Sequence, residues 1–200
     1  MSTVNKTIRR ITVYCGSSPG EQPVFAEQAK ELGSLLAAEG ITLVYGGARV
    51  GIMGVIADSV LDAGGKVTGV LPHFMEKREV GHTGLTKLIM VDTMHERKMK
   101  MYELADAFIT LPGGFGTMEE LFEMLTWGQL GLHHKPIGLL NTDGYYNPLL
   151  ELTETMTKSG FLKEIFSGML LHSDDTGELL EKLRNYTPPP VGRVMTKSKV

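Results

Sequence analysis

The feature that most constrains this 200-residue chain is an alternation: a short β-branched apolar run, a glycine-bearing turn, then a stretch of helical periodicity, repeated along most of its length. Ile11-Thr12-Val13-Tyr14-Cys15 runs into Gly16-Ser17-Ser18-Pro19-Gly20, after which Phe25, Ala29, Leu32, Leu35 and Leu36 recur at helix spacing until Gly40. Residues 41–45 read as a second strand, followed by Gly46-Gly47-Ala48-Arg49-Val50-Gly51-Ile52-Met53-Gly54 and a helix to position 63. Gly64-Gly65 close that helix, and 66–71 form a third strand. Periodicity then fails from Pro72 to Thr86, where His73, Lys77, Arg78, Glu79 and His82 make a polar connection over the sheet edge. Strands resume at 87–91, 107–111, 135–140 and 169–172, with helices at 94–104, 117–130, 146–159 and 176–185 between and after them. Strands separated by helices demand crossover connections, hence parallel pairing with helices on both faces. The expected fold class is α/β: a Rossmann-like, doubly wound parallel sheet in a single domain spanning 10–187, between a flexible N-terminus at 1–9 and a disordered tail at 188–200.

In such sheets ligands bind beyond the carboxyl ends of the strands, where the glycine-rich turns fall. The richest is Leu111-Pro112-Gly113-Gly114-Phe115-Gly116-Thr117-Met118-Glu119-Glu120. Pro112 stops a buried strand, the glycines permit a sharp turn and close backbone approach, and Leu121, Met124 and Leu125 continue as a helix. Thr117 is the expected N-cap, and Thr117 with Glu120 has the spacing of a capping box. That device alone does not account for so much glycine, so the stretch reads as a ligand loop whose free backbone N–H groups attract an anion, phosphate above all.

The first turn lacks G-x-G-x-x-G and no P-loop is present, which argues against a dinucleotide enzyme. Glycine-rich turns after the second strand and after Leu111 flank one crevice suited to a mononucleotide. The 5'-phosphate is expected on the helix starts at Gly51–Met53 and Gly116–Thr117.

Composition excludes other classes. With 42% hydrophobic and 22% charged residues and a net charge of -3, the chain is that of a globular protein with no nucleic-acid signature. No apolar stretch spans a bilayer, and residues 1–9 hold no signal sequence. The single cysteine, Cys15, precludes an internal disulfide and reads as core filler. The expected location is cytoplasmic. His133, His134 and His172 lack ligand spacing, so no metal is assigned and no cofactor is expected.

Three segments in order, Gly46 to Gly54, Met94-His95-Glu96-Arg97-Lys98, and Pro112 to Glu120, resemble the LOG ("lonely guy") family. The resemblance continues through Thr126-Trp127-Gly128-Gln129-Leu130-Gly131, Lys135-Pro136 and Asn141-Thr142-Asp143-Gly144-Tyr145-Tyr146. It implies a cytokinin riboside 5'-monophosphate phosphoribohydrolase, which frees the base and ribose 5-phosphate from N6-modified AMP, with AMP itself a second ligand, and a homodimer. Proteins with this motif have also been labelled lysine decarboxylases, for which no pyridoxal-phosphate lysine context exists here. By resemblance the catalytic pair is Arg97 and Glu120, and substrate contacts fall on Glu79, Lys98, Gly113, Gly114, Gly116, Thr117, Glu119 and Thr126. Gly46, Gly47, Gly51, Met53, Gly54 and Met94 complete the candidate binding set. Lys77 stands where plant members usually have proline, a departure from the family pattern next to Glu79.

Hydrolysing a glycosidic bond passes through an oxocarbenium-like sugar, which a carboxylate can stabilise while accepting a proton from water. Glu120 fits this role if ionised; Arg97 either keeps it so through a bidentate pairing or instead contacts the departing base or the phosphate. Glu119 reads equally as a dipole-complementing acid or a ribose contact, and Glu123 as a member of the site or, the preferred reading, an exposed helix face. A nucleotide-binding sensor or carrier without chemistry is the alternative reading of the same motifs.

Overall fold

The computed structural model describes residues 7–75 and 81–190. Its elements follow the alternation: β1 (Arg10–Tyr14), α1 (Pro23–Ala38), β2 (Thr42–Tyr45), α2 (Gly51–Asp62), β3 (Val67–Pro72), β4 (Lys87–Val91), α3 (Met94–Leu104), β5 (Ala107–Thr110), α4 (Phe115–Gln129), β6 (Ile137–Leu140), α5 (Asn147–Lys158), β7 (Leu170–Ser173) and α6 (Thr176–Arg184). Short 3-10 turns at His73–Met75, Thr142–Gly144 and Glu164–Met169 escape the sequence reading, because a single turn has no periodicity to detect. The strands make one parallel seven-stranded sheet in the order β4-β3-β2-β1-β5-β6-β7.

Because successive strand side chains point to opposite faces, each strand feeds two cores. Ile11 and Val13, Leu43 and Tyr45, Ala107 and Ile109 face the layer that holds α1, α2 and α6. Tyr14, Val44, Phe108, Ile137 and Leu139 face the layer with Met101 of α3, Leu121 and Met124 of α4, and Tyr146 beside α5. Both faces are covered, as a parallel sheet requires. On the second face Phe108 stacks between Tyr14 (ring centroids 5.9 Å apart) and Tyr102 (6.4 Å), and Trp127 meets Tyr102 edge-on at 5.1 Å. Such pairs add about 0.5–1.5 kcal/mol each beyond their burial, and Tyr14, the uppermost ring, is also a wall of the crevice.

The order of strands reverses at β1, with β2 on one side and β5 on the other. The loops that leave β1 and β5 therefore diverge to opposite faces and open a crevice between them. They are nevertheless tied together: Leu111 N–H donates to Tyr14 O at 2.9 Å and Gly16 N–H to Pro112 O at 3.1 Å. At the N-terminal side Ile8 is buried and the Arg9 and Arg10 N–H groups both donate to the Asp106 carboxylate at 2.9 Å, so the chain is anchored from Ile8 onward. Residues 1–6 and 191–200 lie outside the described residues.

Candidate active site

A crevice of about 270 Å³ opens at the carboxyl ends of β1, β2 and β5. Its walls hold most of the expected residues: Gly46, Met53, Met94, Arg97, Gly114, Gly116, Thr117, Glu119 and Glu120.

Arg97 arrives there through a cap. Thr93 precedes α3, and its Oγ1 accepts the Glu96 N–H at 3.1 Å while the Glu96 carboxylate accepts the Asp92 N–H at 2.8 Å. The T-x-x-E device thus serves α3, and Glu96 is occupied in building it. Arg97 and Met101, one turn apart, form the buried face of α3. The guanidinium is only 7% exposed, with Nε donating to Val70 O at 3.2 Å and Nη2 to Gly46 O at 2.9 Å. A Cβ on Gly46 would stand 2.1 Å from Nη2, so glycine at that strand end is what lets the guanidinium in. Met94 Sδ lies 3.9 Å from Nη1.

The start of α4 differs from the sequence reading. The helix begins at Phe115 with Gly114 as N-cap, and Thr117 is a buried residue of the first turn. Thr117 is therefore no cap. Gly113 explains why: its Cβ would meet Thr117 Oγ1 at 2.2 Å, so the glycine turn wraps over the threonine and the cap falls three residues sooner, at Gly114. No side chain caps this end. The N–H groups of Phe115, Gly116 and Thr117 precede the first intrahelical bond, Met118 N–H to Gly114 O, and lie along the crevice. The start of α2 is crowded by the β1 loop: Ile52 N–H donates to Ser18 O at 3.4 Å, and a Cβ on Gly51 would meet Ser17 C at 2.3 Å, while Met53 lines the crevice.

Glu120 follows Thr117 by one turn, on the inward side of α4 and half-buried. Burial pushes its carboxyl pKa up to about 7; the Arg97 and Lys98 charges pull it down, and Glu119 and Glu123 push it up. Desolvation thus outweighs the cationic neighbours. Among the described residues no ion pair joins Arg97 to Glu120, so the bidentate pairing is absent and the two groups meet only through space. A carboxyl poised near neutrality can accept a proton from water and return it to a leaving group.

The remaining candidates separate. Lys98 projects beside α4 and bonds both Glu119 and, at 3.0 Å, Glu123. Glu123 is accordingly no solvated face; its side chain is 23% exposed. The sequence concealed this, because Glu119 and Glu123 look like ordinary surface acids until α3 supplies the cation between them. Gly47, with φ of 81°, and Gly54, whose Cβ would meet Arg49 O at 2.3 Å, shape the second turn without lining the crevice. Gly113 borders an adjoining cavity of about 330 Å³ with Phe25 and Tyr145. Thr126 faces a different, apolar cavity with Phe122, Leu125, Met156 and Phe161. Glu79, Lys77 and Arg78 lie outside the described residues.

His82 and His133 are built into the core. His82 is buried, bonding Asp58 at 2.8 Å through Nε2 and accepting the Gly84 N–H through Nδ1, which pins the end of the β3–β4 connection to α2. His133 is buried under Tyr102 and Phe108 and bonds Met124 O at 2.9 Å. Burial lowers its pKa to about 4, against the opposing bond to Met124 O, so it is a neutral core residue.

Comparison with known proteins identifies the family. Residues 53–183 fit the family described as "Possible lysine decarboxylase". A probable cytokinin riboside 5'-monophosphate phosphoribohydrolase of Oryza sativa subsp. japonica is 49% identical over 89% of this chain and 80% of its own length. The cytokinin riboside 5'-monophosphate phosphoribohydrolase LOG of the same plant is 46% identical over 90% of this chain and 74% of its own. Among solved structures, the molybdenum cofactor binding protein of Rippkaea orientalis superposes with a TM-score of 0.64 at 24% identity, covering 86% of this chain and 93% of that one, a likeness of fold. With relatives of this identity aligned along nearly its whole length, the chain belongs to the LOG family of cytokinin riboside 5'-monophosphate phosphoribohydrolases.

Proposed function

We propose that this chain hydrolyses the N-glycosidic bond of cytokinin riboside 5'-monophosphates, N6-modified forms of AMP, releasing the free base and ribose 5-phosphate. The observation that carries the reading is Glu120: a carboxyl with a pKa near 7, in a crevice whose other walls are a buried guanidinium and an uncapped helix N-terminus. The 5'-phosphate sits on the free N–H groups at the start of α4, where the helix dipole favours an anion. Anchored there, the ribose lies one helical turn from Glu120. As the C1'–N9 bond breaks, the ionised carboxylate stabilises the cationic sugar and accepts a proton from the attacking water; the base leaves with the bond's electron pair and takes up a proton. Arg97, its Nε and Nη2 already bound to carbonyls, keeps donors for the departing base or the ribose.

AMP is a second ligand of the same crevice, and the protein works as a cytoplasmic homodimer. The helix α5 has no buried residue, and its Leu152 stands exposed together with Phe161 and Ile165 beyond its end, a face that a second copy would cover. Thr126 belongs to that same region, so a substrate contact from it would come from the partner. Among the described residues no helix is long and apolar enough to cross a membrane, and Cys15 is a free, buried thiol. Cell fractionation tests the location.

Incubating the protein with N6-isopentenyl-AMP, AMP and the two matching nucleosides tests the activity. Ribose 5-phosphate from the nucleotides, with the nucleosides at least about 100-fold slower because the phosphate handle orients the sugar, is the expected result. Tight nucleotide binding with no product from any of the four would establish a non-catalytic binding protein instead.

A further inference from the structure

The crevice lies between two helices: α3 brings Arg97, α4 brings Glu120, and the Lys98 ammonium spans them. Lys98 Nζ bonds Glu119 and, at 3.0 Å, Glu123, which are one turn apart on α4 and therefore present their carboxylates on one side of that helix. The Lys98 side chain is 12% exposed and that of Glu123 is 23%, whereas Glu119 is 56% exposed. Solvent screens the Glu119 contact more than the Glu123 contact, which makes Glu123 the firmer anchor. Burial alone would lower the Lys98 pKa, but the bonds to Glu119 and Glu123 outweigh it and raise it, so the ammonium stays charged. Lys98 itself does not line the crevice.

We propose that Glu123 is a positioning residue for the reaction assigned above: by anchoring Lys98 it locks the helix that carries Arg97 to the helix that carries Glu120. The proposal rests on the hydrolase reading for its kinetic consequence only. The lock also sets the charge around Glu120. The groups facing that carboxyl are Arg97 and Lys98 from α3, Glu119 and Glu123 from α4, Tyr14 at the end of β1 and Cys15 just after it, the last two held neutral because burial pushes their pKa upward. Two of the four charged neighbours are therefore the lock itself. Removing Glu123 takes away a carboxylate that disfavours Glu120 ionisation and leaves Lys98 less neutralised; removing Lys98 leaves two carboxylates unopposed beside it. The two changes push the Glu120 titration in opposite directions.

The test uses Glu123→Gln, Lys98→Met, the double variant and Glu123→Asp in the full chain. Carbon-13 NMR of labelled glutamate carboxyls follows the Glu120 titration, and kcat and KM for N6-isopentenyl-AMP are read in parallel. The expected results are a Glu120 midpoint moved to lower pH in Glu123→Gln and to higher pH in Lys98→Met. In Glu123→Gln kcat falls about tenfold with KM nearly unchanged, the double variant is no worse than the more damaged single one, and Glu123→Asp recovers part of the loss. A Glu120 midpoint unmoved in both single variants, or losses in kcat that multiply in the double variant, would overturn the proposal. If the unaltered protein hydrolyses nothing, the hydrolase reading fails by itself, and amide hydrogen exchange along α3, faster in Glu123→Gln than in the unaltered protein if the lock exists and unchanged if it does not, still decides the lock.

Discussion

At the scale of single residues, the charged triplet Glu96-Arg97-Lys98 shows how little local composition says about fate. Glu96 closes the cap of α3, Arg97 is buried against backbone carbonyls, and Lys98 crosses to α4. By composition alone the triplet reads as a solvated face; the signal that marks Arg97 is its place at Met94, Arg97 and Met101, where a cation interrupts an otherwise apolar stripe at helix spacing. Glu120 was legible as a candidate from its motif, yet its proton affinity was not, because that depends on desolvation by walls that come from three strands. The raised pKa has a consequence for stability. Below its unfolded value near 4.5 the carboxyl is protonated in both states and contributes nothing; as pH rises toward about 7 the folded state must give up a proton it holds more tightly, and stability is lost. Glu120→Gln should therefore be more stable than the unaltered protein at pH 8, by up to about 3 kcal/mol, with the difference vanishing near pH 4. Denaturant unfolding at the two pH values checks this, and equal stability at pH 8 would show that the carboxyl is not desolvated.

At the scale of elements, the strands and longer helices were legible to within one or two residues, because burial on both faces demands continuous apolar runs and amphipathic helices repeat at 3.6. The start of α4 was not. T-x-x-E occurs at Thr117 and at Thr93, and spacing cannot say which one caps a helix; Gly113, packed on Thr117 Oγ1, decides it. The end of β2 meets α3 in a similarly tight way. Gly46 supplies the carbonyl that holds Arg97 Nη2 and leaves no room for a Cβ. Gly46→Ala should displace the guanidinium by an ångström or more and reduce kcat about 100-fold, the usual cost of such a misplacement, while the far-ultraviolet circular dichroism stays that of the folded sheet. Activity within about twofold of the unaltered enzyme would mean that the Arg97 position does not matter to turnover.

At the scale of the whole molecule, the doubly wound sheet was readable from alternation alone, and its strand order places the crevice at the β1–β5 reversal. What the sequence could not reveal is how closely the β1 loop approaches the start of α2, where Ser18 O takes the Ile52 N–H. Nor could it separate Thr126 from the motif that precedes it by only a few residues. Six residues after Glu120 is about 9 Å along the helix axis, which carries Thr126 to the apolar surface shared with α5. Sedimentation velocity should give the mass of two chains, and Phe161→Asp, at an 88% exposed position in that surface, should shift it toward one; a single-chain mass for the unaltered protein would contradict the dimer.

The most direct measurement is nucleotide binding and turnover by Glu120→Gln, made side by side with calorimetry and a ribose 5-phosphate assay. The substitution keeps the shape of the side chain and the α4 N-terminus, so AMP affinity should stay within about threefold while turnover falls by 100-fold or more, roughly the contribution of a positioned acid–base group. Turnover close to that of the unaltered protein, with binding intact, would contradict the assignment of Glu120 as the group that moves the proton.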